Sequence, residues 1–308
     1  QNMSPSTTLP QHVTIGFSCR PKKKIELFND FVVYCKEHHG IKVIELDLEK
    51  DNLPPVDIYL CKVTDDLNST DETAERKRLH LRDYLEKHPN ILCMEPIEKL
   101  EPILTRERMC ETFREIGIGQ PEWRVVQSLD EEELTNVTYP VVVKAQAACG
   151  TEESHHMALV FNKDQFPLKS FINSEGPYLV QQFVNHDAKV YKIYVLGEYI
   201  IAQIRDSFPN FEPQDQPLYF HSQKLPIKEV IGKHHMSQDE AKKMFGTAVT
   251  KMRQRLKMDL FGIDIIIDAK GKQFVIDFNF FPGYYGVEKR MAWLIETIER
   301  RYGELKEG

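Results

Sequence analysis

The sequence predicts an α/β fold, and three features of the 308-residue chain lead to this prediction. Strand-like and helix-like segments alternate over residues 11 to 104, which favours a parallel sheet. The segments beyond residue 120 are richer in strand patterns, and some of them are spaced as hairpins. A hydrophobic content of 41% and a charged content of 28% are typical of a chain that buries a sizeable core. We therefore expect two or three α/β lobes, the first of them built on a parallel sheet.

Residues 11–104 are predicted to form the amino-terminal α/β lobe. Apolar and amphipathic patterns predict strands at 12–19, 41–48, 56–63 and 90–96, with helices at 23–40 and 71–89. Open sheets of this kind bind ligands at the carboxyl ends of their strands. The ligand of this lobe is expected at that edge.

Residues 105–182 and 183–308 are predicted to form a central and a carboxyl-terminal lobe. The predicted elements are strands at 139–147, 155–161 and 177–184, a hairpin turning at 196–198, a loop at 207–228, a helix near 237–257, two strands within 260–286 and a closing helix. The loop is rich in Pro, Phe and Asp. The sequence leaves open whether it is a mobile lid or partly disordered.

Charge and cysteine content exclude several classes of protein. A formal charge of −7 argues against a general nucleic-acid binder, so any anionic ligand needs a local cluster of cations. No apolar run is long enough for a membrane span, and no signal peptide is expected. The six cysteines show no CxxC spacing, which predicts neither a disulfide framework nor a zinc site. We expect a cytoplasmic protein, and a monomer because no coiled-coil pattern is present.

Two apolar runs near the carboxyl end each carry an acid, Asp264 in LFGIDIIID and Asp277 in QFVIDFNFFPG. Because strand side chains alternate, Asp277 and Asn279 lie on the same face. If the runs pair as a hairpin counted outward from Lys270 and Gly271, Asp264 lies opposite Asp277. Oxygen ligands of this kind suit Mg²⁺, so the stretch predicts a magnesium site.

A simpler interpretation of this fragment is that Asp264 caps a turn and that Asp277 pairs with a surface lysine. A D-x-N tripeptide is common by chance. Both interpretations stay open on the fragment alone.

Lysines at the ends of predicted strands form a candidate anion site. Lys144 ends PVVVK, Lys22–Lys24 follow the first strand, Lys62 follows the third, and Lys192 lies in VYKIY. Each alone is more often a solvated lysine. Together they would bring positive charge from two lobes to one cleft, which fits a polyanionic substrate.

Backbone groups could complete such a cleft. The polar loop after Lys144 could fold over phosphates through its N–H groups and through Ser154 or His155. The segment 181–184 could present its backbone to an adenine edge, or be ordinary sheet core.

Three stretches together resemble the ATP-grasp fold: PVVVKAQAACGTEESHHMALVF, YLVQQFVNHDAKVYKIYVLGE and LFGIDIIIDAKGKQFVIDFNFFPGYYGV. More narrowly, they resemble the inositol 1,3,4-trisphosphate 5/6-kinase family, also called the inositol-tetrakisphosphate 1-kinase family. IGFSCRPKKKIELF and CKVTD are similar to the amino-terminal lobe of that family. The resemblance implies two lobes that sandwich ATP, beside an amino-terminal parallel-sheet lobe.

The resemblance also implies ATP and Mg²⁺, as two ions, and an inositol polyphosphate as substrate. It places ATP contacts at Arg106, Lys144, Gln181, Gln182, Phe183, Val184, Arg205, Ser207 and Ser222. It places the Mg²⁺ ligands at Asp264, Asp277 and Asn279. It places substrate contacts at Lys24, Lys62, His155, Lys192, Asn279 and Gly283, and catalytic roles at Asp277, Asn279 and Lys192.

Two of these assignments stay open, because RPKKK and CGTEESHH each carry one residue more than the family pattern. Either Lys23 or Lys24 would contact the substrate. Either His155 or His156 would do so, and His155 is preferred because it follows Ser154 directly.

The implied activity is transfer of the γ-phosphoryl group of ATP to a hydroxyl of an inositol tris- or tetrakisphosphate. The alternative is an ATP-grasp carboxylate–amine ligase, a class that usually has Glu at the position of Asp277 and has less use for the substrate lysines. A binding protein without catalysis is a third interpretation, and the two complete carboxylates argue against it. The isomer, the hydroxyl, reversal toward ADP and the identity of any general base stay open.

Overall fold

The computed structural model describes residues 8–21, 24–63, 71–129, 134, 137–146, 155–166, 176–227 and 234–307. In chain order its strands are β1 (Thr14–Cys19), β2 (Lys42–Glu45), β3 (Ile58–Lys62), β4 (Leu92–Met94), β5 (Trp123–Val126), β6 (Val141–Ala145), β7 (His156–Val160), β8 (Tyr178–Gln182), β9 (Lys189–Leu196), β10 (Tyr199–Asp206), β11 (Leu218–His221), β12 (His234–His235), β13 (Leu260–Ile267) and β14 (Gln273–Phe280). Its α-helices are α1 (Asn29–His39), α2 (Glu72–Lys87), α3 (Arg106–Glu115), α4 (Gln238–Leu256) and α5 (Arg290–Glu307).

The amino-terminal sheet has the strand order β2-β1-β3-β4, and all of its pairs are parallel. The predicted parallel sheet is therefore confirmed. A π-helical turn, Lys24–Phe28, leads from the carboxyl end of β1 into α1. Gly40 ends α1 with a positive φ of 65°, and its N–H donates to Cys35 O, as expected of a glycine that closes a helix.

The central sheet is antiparallel, with the order β11-β7-β6-β8-β5. Its strand β11 lies within 207–228, where the sequence predicts a loop. Leu218 and Phe220 pack with Leu159 and Phe208 on one face, while Tyr219 between them packs against the core on the other face, and this two-sided packing makes the segment a strand. The proposed division at residues 104 and 182 stays a prediction, although β11 joins a sheet formed mainly by the middle segment.

The carboxyl-terminal sheet is antiparallel, with the order β12-β10-β9-β13-β14. The hairpin predicted at 196–198 is present, since Leu196 pairs with Tyr199. The helix α4 begins at a capping box formed by Ser237 and Glu240.

One hydrophobic core runs from the amino-terminal sheet to the carboxyl-terminal sheet. It joins Ile15 and Phe17 of β1 with Ile193 of β9 and Ile295 of α5, all of them buried. The inner strands of the central sheet have a separate core around Val143 and Val180. The amino- and carboxyl-terminal sheets thus share one hydrophobic core, whereas the central sheet packs around a core of its own.

Candidate active site

The two predicted carboxylate ligands of Mg²⁺ lie side by side on neighbouring strands. Asp264 of β13 pairs with Asp277 of β14, so the predicted pairing is confirmed. Close to the turn, however, the strands pair one residue out of the predicted register, with Ile265 opposite Val275. A β-bulge at Ile276 adds one residue and restores the pairing at the acids.

A polar row crosses the carboxyl-terminal sheet at the level of these acids. The register places Gln203, Lys192, Asp264 and Asp277 next to one another on β10, β9, β13 and β14. Lys192 Nζ lies 3.3 Å from Asp264 Oδ1 and Oδ2, and both side chains are about 80% buried, with 20% and 19% exposed. The sequence predicted Lys192 as a substrate contact but did not predict this ion pair.

The charges of the row shift one another's pKa. Burial raises the pKa of Asp264, the charge of Asp277 raises it further, and Lys192 opposes both. Burial alone would lower the pKa of Lys192, but Asp264, Tyr194 and Asp277 together outweigh it and raise the pKa above the ordinary value. Lys192 therefore stays charged at neutral pH.

Two buried polar atoms in this row form no hydrogen bond among the described residues: Asn279 Nδ2, and Asp264 Oδ1, which has the 3.3 Å ion contact with Lys192. Buried polar groups are nearly always satisfied, so such atoms are suited to bind a ligand. Asn279 lies two residues beyond Asp277 and on the same face of β14. Its amide can offer an oxygen to a cation and an N–H₂ group to an acceptor.

The donor set suits Mg²⁺. Mg²⁺ is commonly held by one or two carboxylates together with substrate phosphates. Over the described ranges, no group of three His, Cys, Asp or Glu side chains forms a metal cluster. The candidate set is therefore two carboxylates and one amide, which leaves coordination positions for phosphate oxygens.

The predicted phosphate contacts come together at the end of β6, with Lys144 on that strand and Arg106 at the start of α3. Lys144 is only 9% exposed, and its Nζ donates to Gln181 Oε1 at 2.7 Å. Arg106 is 4% exposed and donates to Ala145 O at 3.0 Å. Burial, and then the positive charge of Arg106, lower the pKa of Lys144 to about 8. The interpretation of Lys144 as a solvated lysine is therefore wrong, since solvent hardly reaches it.

Lys144 also lies within the electrostatic reach of the acidic pair. Asp277 and, more weakly, Asp264 raise the pKa of Lys144 against the larger effects that lower it. Cys110 of α3 lies near Lys144 and Asp277, because the charges of both residues shift its pKa. Burial has the largest effect and raises the pKa of this thiol to about 11. No sequence pattern points to Cys110, since one cysteine in an amphipathic helix has no diagnostic spacing.

The predicted adenine-binding segment, residues 181–184, spans the end of β8, and part of its backbone is already hydrogen-bonded within the protein. Gln182 N–H donates to Glu122 O at 2.7 Å, and Phe183 N–H donates to Pro140 O at 2.8 Å. Val184 O accepts from His186 Nδ1 at 2.7 Å. These groups therefore bind the protein, and a nucleotide base would have to use the remaining groups of the segment.

The predicted nucleotide contacts after β9 are divided between two places. Arg205 donates to Tyr194 Oη at 3.0 Å and to Gln203 Oε1 at 2.7 Å, so it joins the polar row. Ser207 Oγ bonds to His186 Nε2 at 2.8 Å, beside the adenine segment. Gln203 was not predicted as a site residue, although it shares a face of β10 with Arg205.

His155 and Ser222 lie together at the far edge of the central sheet. Ser222 Oγ is 3.2 Å from His155 Nδ1, and Ser222 N–H donates to His155 O at 2.8 Å. The ring of His221 packs against His155 and against His156, with centroids 5.3 and 5.5 Å apart. The choice between His155 and His156 therefore stays a prediction.

The predicted substrate lysines lie at the carboxyl ends of the amino-terminal strands. Lys62 ends β3 and donates to Phe280 O at the end of β14, at 2.6 Å. Lys24 forms a 2.5 Å ion pair with Glu45, which ends β2. Lys23 lies outside the described residues, as does Ser154.

Gly283 follows β14 in the segment FPGYYG. A Cβ atom at this position would lie 3.2 Å from the ring of Tyr285 and 3.6 Å from Glu26 Oε2. The space that a side chain would fill is therefore taken by Tyr285 and Glu26.

The family model described as the inositol 1,3,4-trisphosphate 5/6-kinase ATP-grasp domain matches residues 114–300, more than half of the chain. The chain belongs to the inositol 1,3,4-trisphosphate 5/6-kinase family. Among its relatives, the inositol-tetrakisphosphate 1-kinase of Xenopus laevis is 30% identical over 317 aligned positions, covering 92% of this chain and 78% of the relative. The enzyme of the same name from Danio rerio is 29% identical, with the same coverage. The family predicted from the sequence is confirmed.

Solved structures show the fold that members of the inositol 1,3,4-trisphosphate 5/6-kinase family share with other enzymes. A D-alanine–D-alanine ligase from Bacillus anthracis matches with a TM-score of 0.65 at 15% identity, covering 96% of this chain and 99% of that one. An ATP-grasp protein with a RimK domain from Sphaerobacter thermophilus matches with a TM-score of 0.59 at 15% identity, covering 94% and 99%. The predicted ATP-grasp fold is confirmed.

Among the helices of the described ranges, none combines the length and the apolar character that crossing a membrane requires.

Proposed function

We propose that this chain is an ATP-dependent inositol polyphosphate kinase that transfers the γ-phosphoryl group of ATP to a ring hydroxyl of an inositol tris- or tetrakisphosphate. The observation that carries the proposal is the polar row, in which Lys192, Asp264 and Asp277 adjoin one another beside unbonded atoms of Asp264 and Asn279. Membership of the inositol 1,3,4-trisphosphate 5/6-kinase family supports this activity.

The nucleotide phosphates would lie between the central sheet and the polar row. Lys144 approaches this space from β6 of the central sheet and Arg106 from the start of α3, and the influence of Asp277 on the pKa of Lys144 supports a short separation. Both cations are buried, so water screens their charge only weakly. They would hold the phosphates in place and offset the charge that spreads over the transferring oxygens.

Asp264, Asp277 and Asn279 would hold Mg²⁺, and we propose two ions. The metal would neutralise phosphate charge and align the nucleotide for in-line transfer. Lys192 would then exchange part of its contact with Asp264 for a contact with the acceptor. Asn279 would orient the attacking hydroxyl through its amide N–H₂ group.

The acceptor would lie at the carboxyl edge of the amino-terminal sheet, facing β14. Lys62 already bridges from β3 to Phe280 O, which joins the two sides of this space. Lys24 and the backbone of Gly283 would contact further phosphates. His155 would approach from the central sheet.

An ATP-grasp carboxylate–amine ligase is the competing function, and the two chemistries differ in one product. A ligase releases inorganic phosphate when its acyl phosphate becomes an amide, whereas a kinase leaves the phosphoryl group on the acceptor. The test offers purified enzyme ATP and Mg²⁺ with inositol tris- and tetrakisphosphates, or with amino acids and peptides. We expect ADP without inorganic phosphate, and only with inositol phosphates. Equal amounts of ADP and phosphate that depend on an amino-acid acceptor would refute the kinase.

We further propose a cytoplasmic monomer. The reduced state of all five described cysteines supports the compartment. Sedimentation of the purified protein would test the oligomeric state, and a dimer would refute this part of the proposal.

A further inference from the structure

The turn between β14 and α5 has its carbonyl groups bound to the protein. Four successive bonds share this feature: Lys62 Nζ donates to Phe280 O at 2.6 Å, Arg290 Nη1 to Gly283 O at 3.2 Å, Val287 N to Tyr284 O at 3.1 Å and Gln203 Nε2 to Tyr285 O at 2.7 Å. Three of these donors are side chains from different elements. The directions of the peptide groups of Phe280, Gly283 and Tyr285 are therefore set by side chains from outside the turn.

Four successive amide groups in the middle of the same turn are not used in this way. Within the described part of the chain, the N–H groups of Gly283, Tyr284, Tyr285 and Gly286 donate to no protein acceptor. Successive free N–H groups form a concave site for anions. A peptide unit is planar and trans, so its C=O and N–H point in opposite directions. The donor that holds Gly283 O therefore also directs the N–H of Tyr284.

That donor, Arg290, is itself held by an ion pair to the first helix of the amino-terminal lobe. It is the first residue of α5, its side chain is 19% exposed, and its Nη2 forms a 2.6 Å ion pair with Asp30 of α1. A second contact joins the turn to the π-helical turn before α1, since the phenol of Tyr285 bonds to Glu26 and has its pKa raised to about 12 by burial and by this bond. The position of the turn thus depends on the amino-terminal sheet through its first helix.

We propose that Arg290 is a positioning residue for the acceptor. Its guanidinium holds Gly283 O, so that the N–H of Tyr284 faces an acceptor phosphate, and Asp30 fixes the guanidinium. Its positive charge also polarises the peptide, which makes the N–H of Tyr284 a stronger donor to an anion. Arg290 thereby acts on acceptor affinity through the backbone and does not contact the transferring phosphoryl group. This inference rests on the proposed function.

The test compares steady-state kinetics of the wild type with Arg290→Gln, Arg290→Lys and Asp30→Asn, with ATP and an inositol tetrakisphosphate as substrates. For Arg290→Gln we expect the KM of the inositol phosphate to rise about tenfold, as for loss of one charge-assisted hydrogen bond. The KM of ATP and kcat should stay within about twofold, because the phosphate contacts of the nucleotide are elsewhere. Arg290→Lys should recover part of the loss, and Asp30→Asn should give a smaller rise.

Arg255→Gln is the matched control, because Arg255 also joins two helices through an ion pair, with Glu115 at 3.0 Å, and lies away from the turn. It should leave both KM values unchanged, and melting temperatures recorded for every variant identify any loss of folding. An unchanged acceptor KM in folded Arg290→Gln, or an equal rise in both KM values, would overturn the inference alone. A wild type that phosphorylates no inositol phosphate would instead refute the proposed function, and this inference with it.

Discussion

ATP affinity should depend on pH between 7 and 9 because of Lys144. Burial and the neighbouring charge of Arg106 lower the pKa of Lys144 to about 8 from the ordinary 10.5. The amine of the free enzyme is therefore largely neutral at pH 9. Nucleotide phosphates, whose last pKa is about 6, stay ionised over the whole range and favour the charged amine. ATP binding above pH 8 must then take up a proton.

The size of the effect follows from the two pKa values. If bound phosphates return the pKa of Lys144 to about 10.5, the ATP dissociation constant rises about tenfold from pH 7 to pH 9, or about 1.4 kcal/mol. Stability without ATP has the opposite sign. Between pH 8 and 10.5 the unfolded chain binds more protons at Lys144 than the folded protein does, so this group makes the free energy of unfolding rise with pH.

Isothermal titration calorimetry in two buffers of different ionisation heat measures both quantities. At pH 9 we expect uptake of roughly 0.9 proton for each ATP bound. Lys144→Met should bind ATP more weakly at pH 7 and lose most of the pH dependence. A wild-type affinity that stays constant from pH 7 to 9, or a variant that keeps the full dependence, would refute the assignment of Lys144 to the phosphates.

Three further changes test other parts of the account. Burial raises the pKa of Glu95 to about 7. This group therefore makes the free energy of unfolding rise as pH falls from about 7 to 4.5. Urea titrations of Glu95→Gln should lack this increase in the free energy of unfolding. Lys192→Met leaves Asp264 buried without its partner and should lower the free energy of unfolding by about 3 kcal/mol. Adding Asp264→Asn should recover most of this loss, because the unpaired buried charge is then removed. The single variant should also raise the KM of the acceptor more than that of ATP. Glu45→Gln removes the acid that pairs with Lys24 and should lower the KM of the inositol phosphate without changing that of ATP, whereas an unchanged acceptor KM would remove Lys24 from the acceptor site.

The sequence was sufficient for those features that depend on local pattern. Alternation of strands and helices predicted the parallel sheet, and the Asp-x-Asn pattern placed Asp277 and Asn279 on one face. The pairing of Asp264 with Asp277 was also predicted, but through a register that holds only beyond the bulge at Ile276. A bulge depends on packing against neighbouring strands, which a hairpin count does not contain.

Contacts between distant elements were beyond the sequence. The ion pair of Lys192 with Asp264 spans 72 positions, and that of Arg290 with Asp30 spans 260. No periodicity relates such residues, since they meet only after the sheets have packed. Burial of Lys144 was likewise not predictable, because a lysine at a strand end is usually solvated.

The fate of the γ-phosphoryl group tests the central claim most directly. Wild-type enzyme would be given ATP labelled in the γ-phosphate, Mg²⁺ and an inositol tetrakisphosphate, with Asp277→Asn as the folded control that should transfer at most about a thousandth as fast. The account predicts one labelled phosphoryl group on the inositol ring for every ADP formed. Label that accumulates as inorganic phosphate, or transfer by Asp277→Asn at the wild-type rate, would contradict it.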